Sequence, residues 1–232
     1  MRQPVPPAFI KSHLLWPLAV FCFVVIGLEL TSIDVFVADR IYAFGNQSWQ
    51  WRDVWFTSIL IHNDGRKLVA LFAVILVLLL LGSYFSEKLK PMQKGLWYLA
   101  ASAVAGGVAI NVLKHFTHVD CPWDLLRYGG EFPYIKKFAA HPADFRTGAC
   151  FPAGHASAGY AWFGLYYFAR DLYPRWQRLA LAAVLLMGLV FGIGQQLRGA
   201  HFLSHDVWTL GLCWFCATLV YLAFGKLSAI RV

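Results

Sequence analysis

The sequence predicts an all-α, polytopic membrane protein, a bundle of six transmembrane helices with an outer loop between helices three and four. Apolar residues of the set AVILMFWYC make up 59% of the 232 residues. Charged residues make up only 14%, against roughly 25% in soluble globular chains. The apolar residues fall into long runs, and a spanning helix needs about 20 mostly apolar residues. Composition therefore excludes a disordered chain, a collagen-like chain and an ordinary soluble fold.

Each apolar run is a candidate helix, and charged or turn-forming residues separate one run from the next. The six runs are 14–30, 68–85, 96–112, 153–169, 179–193 and 207–224. The second run contains VALFAVILVLLLL and is the clearest, whereas the fourth and fifth are short or contain polar residues. No repeat or flexible linker interrupts the series. Residues 1–232 are therefore expected to form a single membrane-embedded domain with antiparallel neighbouring helices.

Positive charge is denser at one end of the predicted bundle. The loops at that end contain Lys88, Lys90, Lys94, Arg170, Arg175 and Arg178. The positive-inside rule places this end, together with both termini, in the cytoplasm. The first run could instead be a cleaved signal peptide, but no A-x-A-like site follows it, which favours an uncleaved helix.

Three tryptophans lie close together between the first two runs. They are Trp49, Trp51 and Trp55, within FGNQSWQWRDVWF. Because indole rings prefer the headgroup level of a bilayer, this segment is predicted to form an interfacial helix on the outer surface. A plain loop folded over the bundle is the alternative. Neither structure would give the segment a chemical role.

Polar residues that can carry chemistry concentrate at three places, namely the end of run three, the start of run four and the loop before run six. The six-helix topology puts all three on the outer side. A polar group buried in a membrane bundle costs free energy unless it is paired, so the convergence indicates function. The clusters contain Lys114, then Gly154 and His155, then Arg198, His201, His205 and Asp206.

Taken singly, each cluster has an ordinary structural explanation. Lys114 at a helix end could be a lysine that extends to the interface. Pro152 and Gly154 suit a helix N-terminus whose N–H groups can hold an anion, with His155 in the first turn. A lone histidine there would more often make a simple polar contact.

A metal site is the other hypothesis for the third cluster. His201 and His205 are four residues apart, so on a helix they would share a face. Asp206 or His155 could then complete the ligand set. No HExxH motif and no paired CxxC accompany them. We therefore expect neither a metal ion nor a cofactor.

The order and spacing of the three clusters resemble the type 2 phosphatidic acid phosphatase (PAP2) superfamily. The pattern of that superfamily is Lys-x6-Arg-Pro, then Pro-Ser-Gly-His, then Ser-Arg-x5-His-x3-Asp. This chain has Lys114-x6-Cys121-Pro122, then Pro152-Ala153-Gly154-His155, then His201 with Asp206. The resemblance extends over about residues 114–206. It implies an integral membrane lipid phosphatase.

The chain departs from this pattern where the superfamily binds phosphate. Cys121 stands in the position of the first arginine, and Ala153 replaces the serine. Gln195 stands six residues before His201, where the second arginine is expected, and Arg198 lies one turn nearer. These differences leave open a catalytically degenerate member that binds or transports lipid.

The resemblance implies a role for each remaining residue. His201 Nε2 would attack phosphorus and form a phosphohistidine, while His155 would protonate the leaving oxygen and then activate water. Asp206 or His205 would orient the His201 ring. The phosphate oxygens would be bound by Lys114 and the backbone N–H groups of Ala153 and Gly154. Arg198 and Arg127 are further candidates from their charge alone, not from the resemblance.

The cysteines divide into two groups. Cys22, Cys213 and Cys216 lie within apolar runs and fit small core residues. Cys121 and Cys150 bracket the outer loop. In an oxidising compartment they could pair, closing a loop of about 30 residues that would stabilise the fold by roughly 3–4 kcal/mol. Two unpaired thiols near the interface are the alternative.

The expected substrate is a membrane lipid phosphate that enters sideways from the bilayer. The resemblance allows phosphatidate, phosphatidylglycerol phosphate, undecaprenyl diphosphate and lipid A phosphates. The Cys-Pro-Trp and His-Phe-Leu-Ser-His variants resemble a branch found in Gram-negative bacteria. That branch implies the inner membrane, an active site facing the periplasm, and lipid A or a polyprenyl diphosphate.

Other functions remain to be weighed against a lipid phosphatase. Phosphoryl transfer to another lipid is equally compatible with a phosphohistidine. The net charge of +8 is scattered in small clusters, so no nucleic-acid partner is expected. A haem-binding bundle or a lipid flippase would need polar groups at mid-depth. The polar groups here lie near helix ends, which favours an enzyme.

Overall fold

The computed structural model describes residues 6–137, 139 and 148–227. Within these ranges its principal helices are α1 Pro7–Leu30, α2 Ile33–Phe44, α3 Phe56–Gly82, α4 Gln93–Thr117, α5 Gly154–Tyr160, α6 Gly164–Leu172, α7 Gln177–Leu197 and α8 Leu203–Phe224. A 3-10 turn, Ala161–Phe163, joins α5 to α6 into one continuous segment. The chain thus passes along the bundle six times, and the predicted all-α architecture is confirmed.

Five segments of the described chain are long and apolar enough to cross a membrane. They are Pro7–Leu30, Phe56–Gly82, Lys90–Asp124, Pro174–Leu197 and Leu203–Phe224. The α5–α6 segment, which corresponds to the predicted fourth run, is not among them because polar residues such as His155, Arg170 and Asp171 lower its mean hydropathy. Large apolar side chains such as Phe23 and Leu78 are exposed on the outside of the bundle, as a lipid-facing surface requires. The protein is a polytopic membrane protein.

Several helices extend beyond the apolar runs at their polar ends. Helix α3 begins at Phe56 and not near residue 68, so it includes His62 and Arg66. Helix α8 begins at Leu203 and not at residue 207, so His205 lies in its first turn. Hydropathy alone ends a run at the first polar residues, whereas the backbone continues its hydrogen bonding through them.

The prediction of an interfacial helix around residues 44–56 is wrong. The helix in this region is α2, which ends at Phe44. Asn46 and Gln47 follow with φ of 53° and 58°, a left-handed conformation that cannot continue an α-helix. Trp49 then packs its ring 5.3 Å from the ring of Tyr128. The segment is therefore a loop folded over the bundle, which was the alternative.

The core of the bundle lies between α4, α5, α7 and α8. The Tyr98 hydroxyl of α4 donates a hydrogen bond of 3.0 Å to the Ala217 carbonyl of α8. Helices α5 and α7 touch backbone to backbone, since a methyl group on Gly159 would lie 2.5 Å from the Gly188 nitrogen. Small residues permit such close approach between membrane helices. The histidine-bearing start of α5 is thus fixed to α7.

The alternating direction of the helices brings the predicted clusters to the same end. Helix α4 ends near Lys114, α5 begins at Gly154, and α8 begins just after His201. We call this end of the bundle the site end. Helix α2, the loop around Trp49 and the first turns of α3 lie there too.

Candidate active site

The last turn of α4 places Lys114 beside the first residue of α5. Lys114 Nζ donates a hydrogen bond of 2.9 Å to the Ala149 carbonyl. Its side chain passes so close to Gly154 that a methyl group there would lie 3.0 Å from Nζ. A glycine at the start of α5 therefore lets the lysine reach the N-terminus of that helix. Lys114 and Gly154, far apart in sequence, form one wall of the site.

His201 is buried in the loop that precedes α8, with 8% of its surface exposed. Its Nδ1 lies 3.5 Å from Nδ1 of His205, and the Cys150 backbone adjoins both rings and acts on them. Burial lowers the pKa of His201 well below its ordinary value, and the charges of His205 and Lys114 lower it further. The imidazole is thus neutral at neutral pH, which is the nucleophilic form.

The two residues proposed to orient His201 have different positions. The Asp206 carboxylate accepts a hydrogen bond from the Gln196 amide. The carboxylate also lies against Gly192, because a methyl group added to Gly192 would be 2.8 Å from Cγ of Asp206. The Asp206 carboxylate thus faces α7, whereas the His205 ring lies beside His201. Of the two alternatives left by the sequence, His205 has the position from which to hold the His201 ring.

His155 occupies the first turn of α5 and stacks on His62 of α3. The two ring centroids are 4.4 Å apart and the ring planes differ by only 6°. Arg198 and Arg66 also act electrostatically on His155, and His155 acts in turn on His201. Lys114, His155 and His201 therefore converge at the site end, as their motif positions predicted.

Sequence reasoning missed the contribution of α3 to this site. His62 and Arg66 precede the apolar run, which begins only at residue 68, so the pattern gave no reason to place them in a helix. They are four residues apart, so an extended helix would put both on one face. That spacing was the available signal, since it fits a helix that carries polar residues into the site.

Arg198 belongs to the site by a route different from the expected one. Its Nε donates a hydrogen bond of 2.8 Å to the Arg52 carbonyl. Its Nη1 donates one of 3.3 Å to Oε1 of Gln195, the residue at the motif position of an arginine. These bonds fix the guanidinium on the side of His155, on which it acts.

Arg127 is not brought to the cluster. Its Nε and Nη2 each donate a hydrogen bond of 2.7 Å to the Asp39 carboxylate on α2. Arg127 is exposed on the surface of the outer loop. The Asp39 carboxylate thus takes the paired Nε and Nη2 donors of the guanidinium, which a phosphate would otherwise bind. Its role is to join the outer loop to α2.

Ala153 connects α5 to α8. Its N–H donates a hydrogen bond of 3.3 Å to the His205 carbonyl, and its own carbonyl accepts one of 3.2 Å from the Thr209 hydroxyl. The alanine side chain is fully buried. The Ala153 N–H is thus engaged within the protein, and Gly154 is the residue that adjoins Lys114.

The outer loop is joined to the start of α5 by a disulfide between Cys121 and Cys150. Their Cα atoms are 5.2 Å apart across 29 positions of sequence. The Cys150 N–H also donates a hydrogen bond of 2.9 Å to the Val119 carbonyl. Because the Cys150 backbone acts on the His201 ring, this disulfide anchors a backbone segment beside the site.

A buried ion-pair network fixes the start of α8. Lys137 Nζ lies 2.8 Å from a carboxylate oxygen of Glu29 and 3.1 Å from one of Asp34. It also donates a hydrogen bond of 3.0 Å to the Ser204 hydroxyl. Asp34 accepts the Ser204 backbone N–H at 2.8 Å, which satisfies a free donor at the N-terminus of α8. The helix that carries His205 is thereby tied to α2.

Comparison with known proteins identifies the family of the chain. A sequence model of the PAP2 superfamily matches residues 95–229, more than half of the chain. No curated protein and no solved structure matches it. The matched region contains Lys114, His155 and His201, and the superfamily carries phosphatase or phosphotransferase chemistry on lipid-like phosphates. This chain belongs to the PAP2 superfamily.

Proposed function

We propose that this protein is a lipid phosphate phosphatase that works through a phosphohistidine on His201 and needs no metal ion. One observation carries the proposal. Lys114, His155 and His201 converge from three separate helix ends on one site. A cation, an acid–base group and a neutral nucleophile are the groups that phosphoryl transfer through histidine requires.

In the first step His201 Nε2 attacks the phosphorus atom in line with the leaving oxygen. The N–P bond forms as the P–O bond breaks, and the bonding electrons remain on the leaving oxygen. His155 donates a proton to that oxygen. Burial and the charge of His62 lower the pKa of His155 to about 4, so the ring takes up this proton when the anionic phosphate binds beside it. Lys114 and the N–H of Gly154 stabilise the charge on the remaining phosphate oxygens. The Nδ1 side of His201 faces His205, which supports Nε2 as the attacking nitrogen.

In the second step water attacks the phosphohistidine. His155, now deprotonated, accepts a proton from the water, and the N–P bond breaks to release inorganic phosphate. The imidazole of His201 is thereby restored. His205, whose Nδ1 lies 3.5 Å from that of His201, keeps the ring in one orientation through both steps.

We further propose that the substrate is a membrane lipid phosphate at the outer face of a bacterial inner membrane, with both termini in the cytoplasm. The candidates are a phospholipid monoester, a polyprenyl diphosphate and lipid A. Lys94, Arg170 and Arg175 lie at the end of the bundle opposite His201, which supports this orientation by the positive-inside rule. A substrate that stays in the bilayer can enter between helices at the site end.

Phosphoryl transfer to another lipid is the second candidate function. The same convergence of Lys114, His155 and His201 supports it, because a phosphohistidine can pass its phosphoryl group to a lipid hydroxyl as well as to water. The same residues would then perform both steps, with a lipid hydroxyl in place of water.

The test is phosphate release by the detergent-purified protein in the presence of a chelator. The panel contains phosphatidate, phosphatidylglycerol phosphate, undecaprenyl diphosphate and lipid A, with His201→Ala measured alongside. We expect release from one lipid and its loss in the variant. Silence on every lipid, with labelling of His201 by a phosphate donor, would favour transfer. Silence without labelling, or full activity of His201→Ala, would overturn the proposal.

A further inference from the structure

The proposed reaction does not use the second ring nitrogen of His205. This residue is fully buried in the first turn of α8, and its Nδ1 lies 3.5 Å from Nδ1 of His201. Its Nε2 is buried as well, and within the part of the chain that the structure describes no protein group bonds to it. A polar atom buried without a partner is costly. A partner for Nε2 is therefore expected on the side of the ring away from His201.

A small cavity adjoins His205 beneath the outer loop. Its volume is about 10 Å³, enough for one water molecule and for no larger ligand. The cavity is closed to solvent by Leu125 and Phe202, which line it and are themselves almost fully buried. A buried water molecule needs two to four polar partners. The polar residues of the cavity wall are Asp120, Tyr134, Lys137 and His205.

The ammonium group of Lys137 makes this wall rigid but has its donors engaged elsewhere. Three oxygens surround its Nζ, from Glu29 at 2.8 Å, Asp34 at 3.1 Å and Ser204 at 3.0 Å. They match the three N–H bonds of an ammonium group. Asp34 also accepts the backbone N–H of Ser204, the residue before His205. The network thus fixes the position of His205, and another residue has to bind a water molecule in the cavity.

Asp120 supplies a carboxylate to the same cavity. It is buried and lies close to Gly148, where an added methyl group would be 2.5 Å from Oδ1 of Asp120. The neighbouring Val119 carbonyl accepts a hydrogen bond of 2.9 Å from the Cys150 N–H. Asp120 is therefore anchored to the backbone segment that adjoins His205. Because a carboxylate has about four acceptor positions, it can bind a water molecule in addition to its other contacts.

We propose that the cavity holds one water molecule, and that Asp120 acts through this water as a positioning residue for the nucleophile. This inference rests on the proposed function. The Nδ1–H of His201 donates to Nδ1 of His205, the Nε2–H of His205 donates to the water, and the water donates to the Asp120 carboxylate. The free electron pair of His201 is then on Nε2, the nitrogen that attacks phosphorus.

The negative charge of Asp120 gives this chain of hydrogen bonds its direction. It turns the hydrogens of the water toward the carboxylate and the water oxygen toward His205. When the phosphohistidine forms, the His201 ring becomes positively charged, and aligned donors that end on a carboxylate stabilise that charge. No proton moves along the chain. Asp120 thus sets the tautomer of both rings without touching the substrate.

The kinetic test is Asp120→Asn, with nitrophenyl phosphate as the substrate because its turnover does not depend on the identity of the lipid. The amide has the size of the carboxylate but lacks its charge. We expect kcat to fall by about 10- to 100-fold, the effect of losing one hydrogen bond to a charged group. KM should change by less than about threefold. Asp124→Asn, in the same loop but outside the cavity wall, is the matched control and should change neither.

The tautomers can be read directly by ¹⁵N NMR of histidine-labelled protein in detergent micelles. Protonated and unprotonated ring nitrogens have different shifts, and the spectra of His201→Ala and His205→Ala assign the two rings. We expect the proton of His201 on Nδ1 and that of His205 on Nε2, with a cross-peak from the latter to bound water. In Asp120→Asn the His205 signals should become those of a tautomer mixture, whereas a purely structural carboxylate would leave them unchanged.

The outcomes separate this inference from the proposed function. A proton on Nδ1 of His205 in the wild-type protein, unchanged kcat in folded Asp120→Asn, or an equal loss in Asp124→Asn would overturn the role of Asp120 and leave the phosphatase proposal standing. If Asp120→Asn does not fold, the wild-type spectrum decides. Absence of both phosphate release and His201 labelling in the wild-type protein would overturn both proposals.

Discussion

His201 derives its properties from its neighbours. A histidine in water is half protonated near its ordinary pKa, and the protonated ring cannot attack phosphorus. Here burial, the His205 ring and the Lys114 ammonium all lower the pKa of His201. The His205 Nδ1 lies 3.5 Å from the Nδ1 of the same ring. The residue therefore combines a neutral state with a fixed orientation, the two requirements of a nucleophilic imidazole.

A pH experiment on His201 follows from the direction of this shift. A lowered pKa means that the ring stays neutral until the pH falls below the ordinary histidine value of about 6.5. We expect the amount of phosphohistidine formed in one turnover to be constant from pH 8 to about pH 6.5 and to fall only below that. Rapid quenching with labelled substrate measures it. A midpoint at or above the ordinary value would contradict the assignment.

His155 can be tested through its leaving groups. His155→Ala should lower turnover of a lipid monoester by about 10²- to 10⁴-fold, the typical contribution of a general acid. The loss should be smaller for nitrophenyl phosphate, because nitrophenolate departs without a proton. Initial rates on both substrates provide the comparison. Equal losses on the two would argue against a proton donor.

At the scale of elements, the apolar runs predicted six helical segments and their direction, and the structure has them. The motif spacing likewise predicted that Lys114, His155 and His201 would lie near one another. The apolar runs did not predict the polar ends of the helices. His62 and Arg66 lie at such an end, in the first turns of α3. A hydropathy pattern responds to lipid contact, so it cannot follow a helix that leaves lipid and enters a polar site.

Tertiary contacts decided the other differences at this scale. Sequence spacing could not choose between Asp206 and His205, because both are compatible with support of His201. The close packing of Asp206 against Gly192 in α7 turns its carboxylate away from the nucleophile. Arg127 was expected at the phosphate from its charge alone. Its pairing with Asp39 depends on the position of α2, which the sequence did not predict.

The contact between α5 and α7 predicts a strong effect of one methyl group. Gly159→Ala would put Cβ 2.5 Å from a backbone nitrogen of α7, and overpacking of this kind costs about 1–3 kcal/mol. Thermal unfolding in detergent should show a lower midpoint. Gly107→Ala is the control, since nothing lies within 4 Å of its added methyl group. Equal midpoints for the two variants would refute the close packing.

At the scale of the whole molecule, the site is assembled from parts distant in sequence. The disulfide joins the outer loop to the start of α5, and the ion pairs of Lys137 join that loop to α1 and α2. The start of α8 is tied to α2 through Ser204. These cross-connections lie around the histidines at the site end. The opposite end has its own ties, such as the hydrogen bond from Lys94 to the Lys226 carbonyl.

The disulfide should therefore affect both stability and catalysis. Cys121→Ser should lower the free energy of unfolding by about 3–4 kcal/mol, from the entropy of the opened loop. It should also lower kcat, because the Cys150 carbonyl loses its anchor beside His201. The double variant Cys121→Ser with Cys150→Ser should have the same unfolding midpoint and turnover as Cys121→Ser, because either substitution opens the same disulfide. Cys22→Ser, at an exposed position, is the control. Unchanged turnover in Cys121→Ser would contradict the link to His201.

The contribution of α3 has a consequence for how such enzymes diversify. The region shared with the superfamily is residues 95–229, whereas His62 and Arg66 come from a helix that precedes it. Selection could thus alter the wall that faces the departing group while leaving the histidines of the reaction untouched. A match to the superfamily therefore carries no information about this wall of the site, which the chain supplies from outside the matched region.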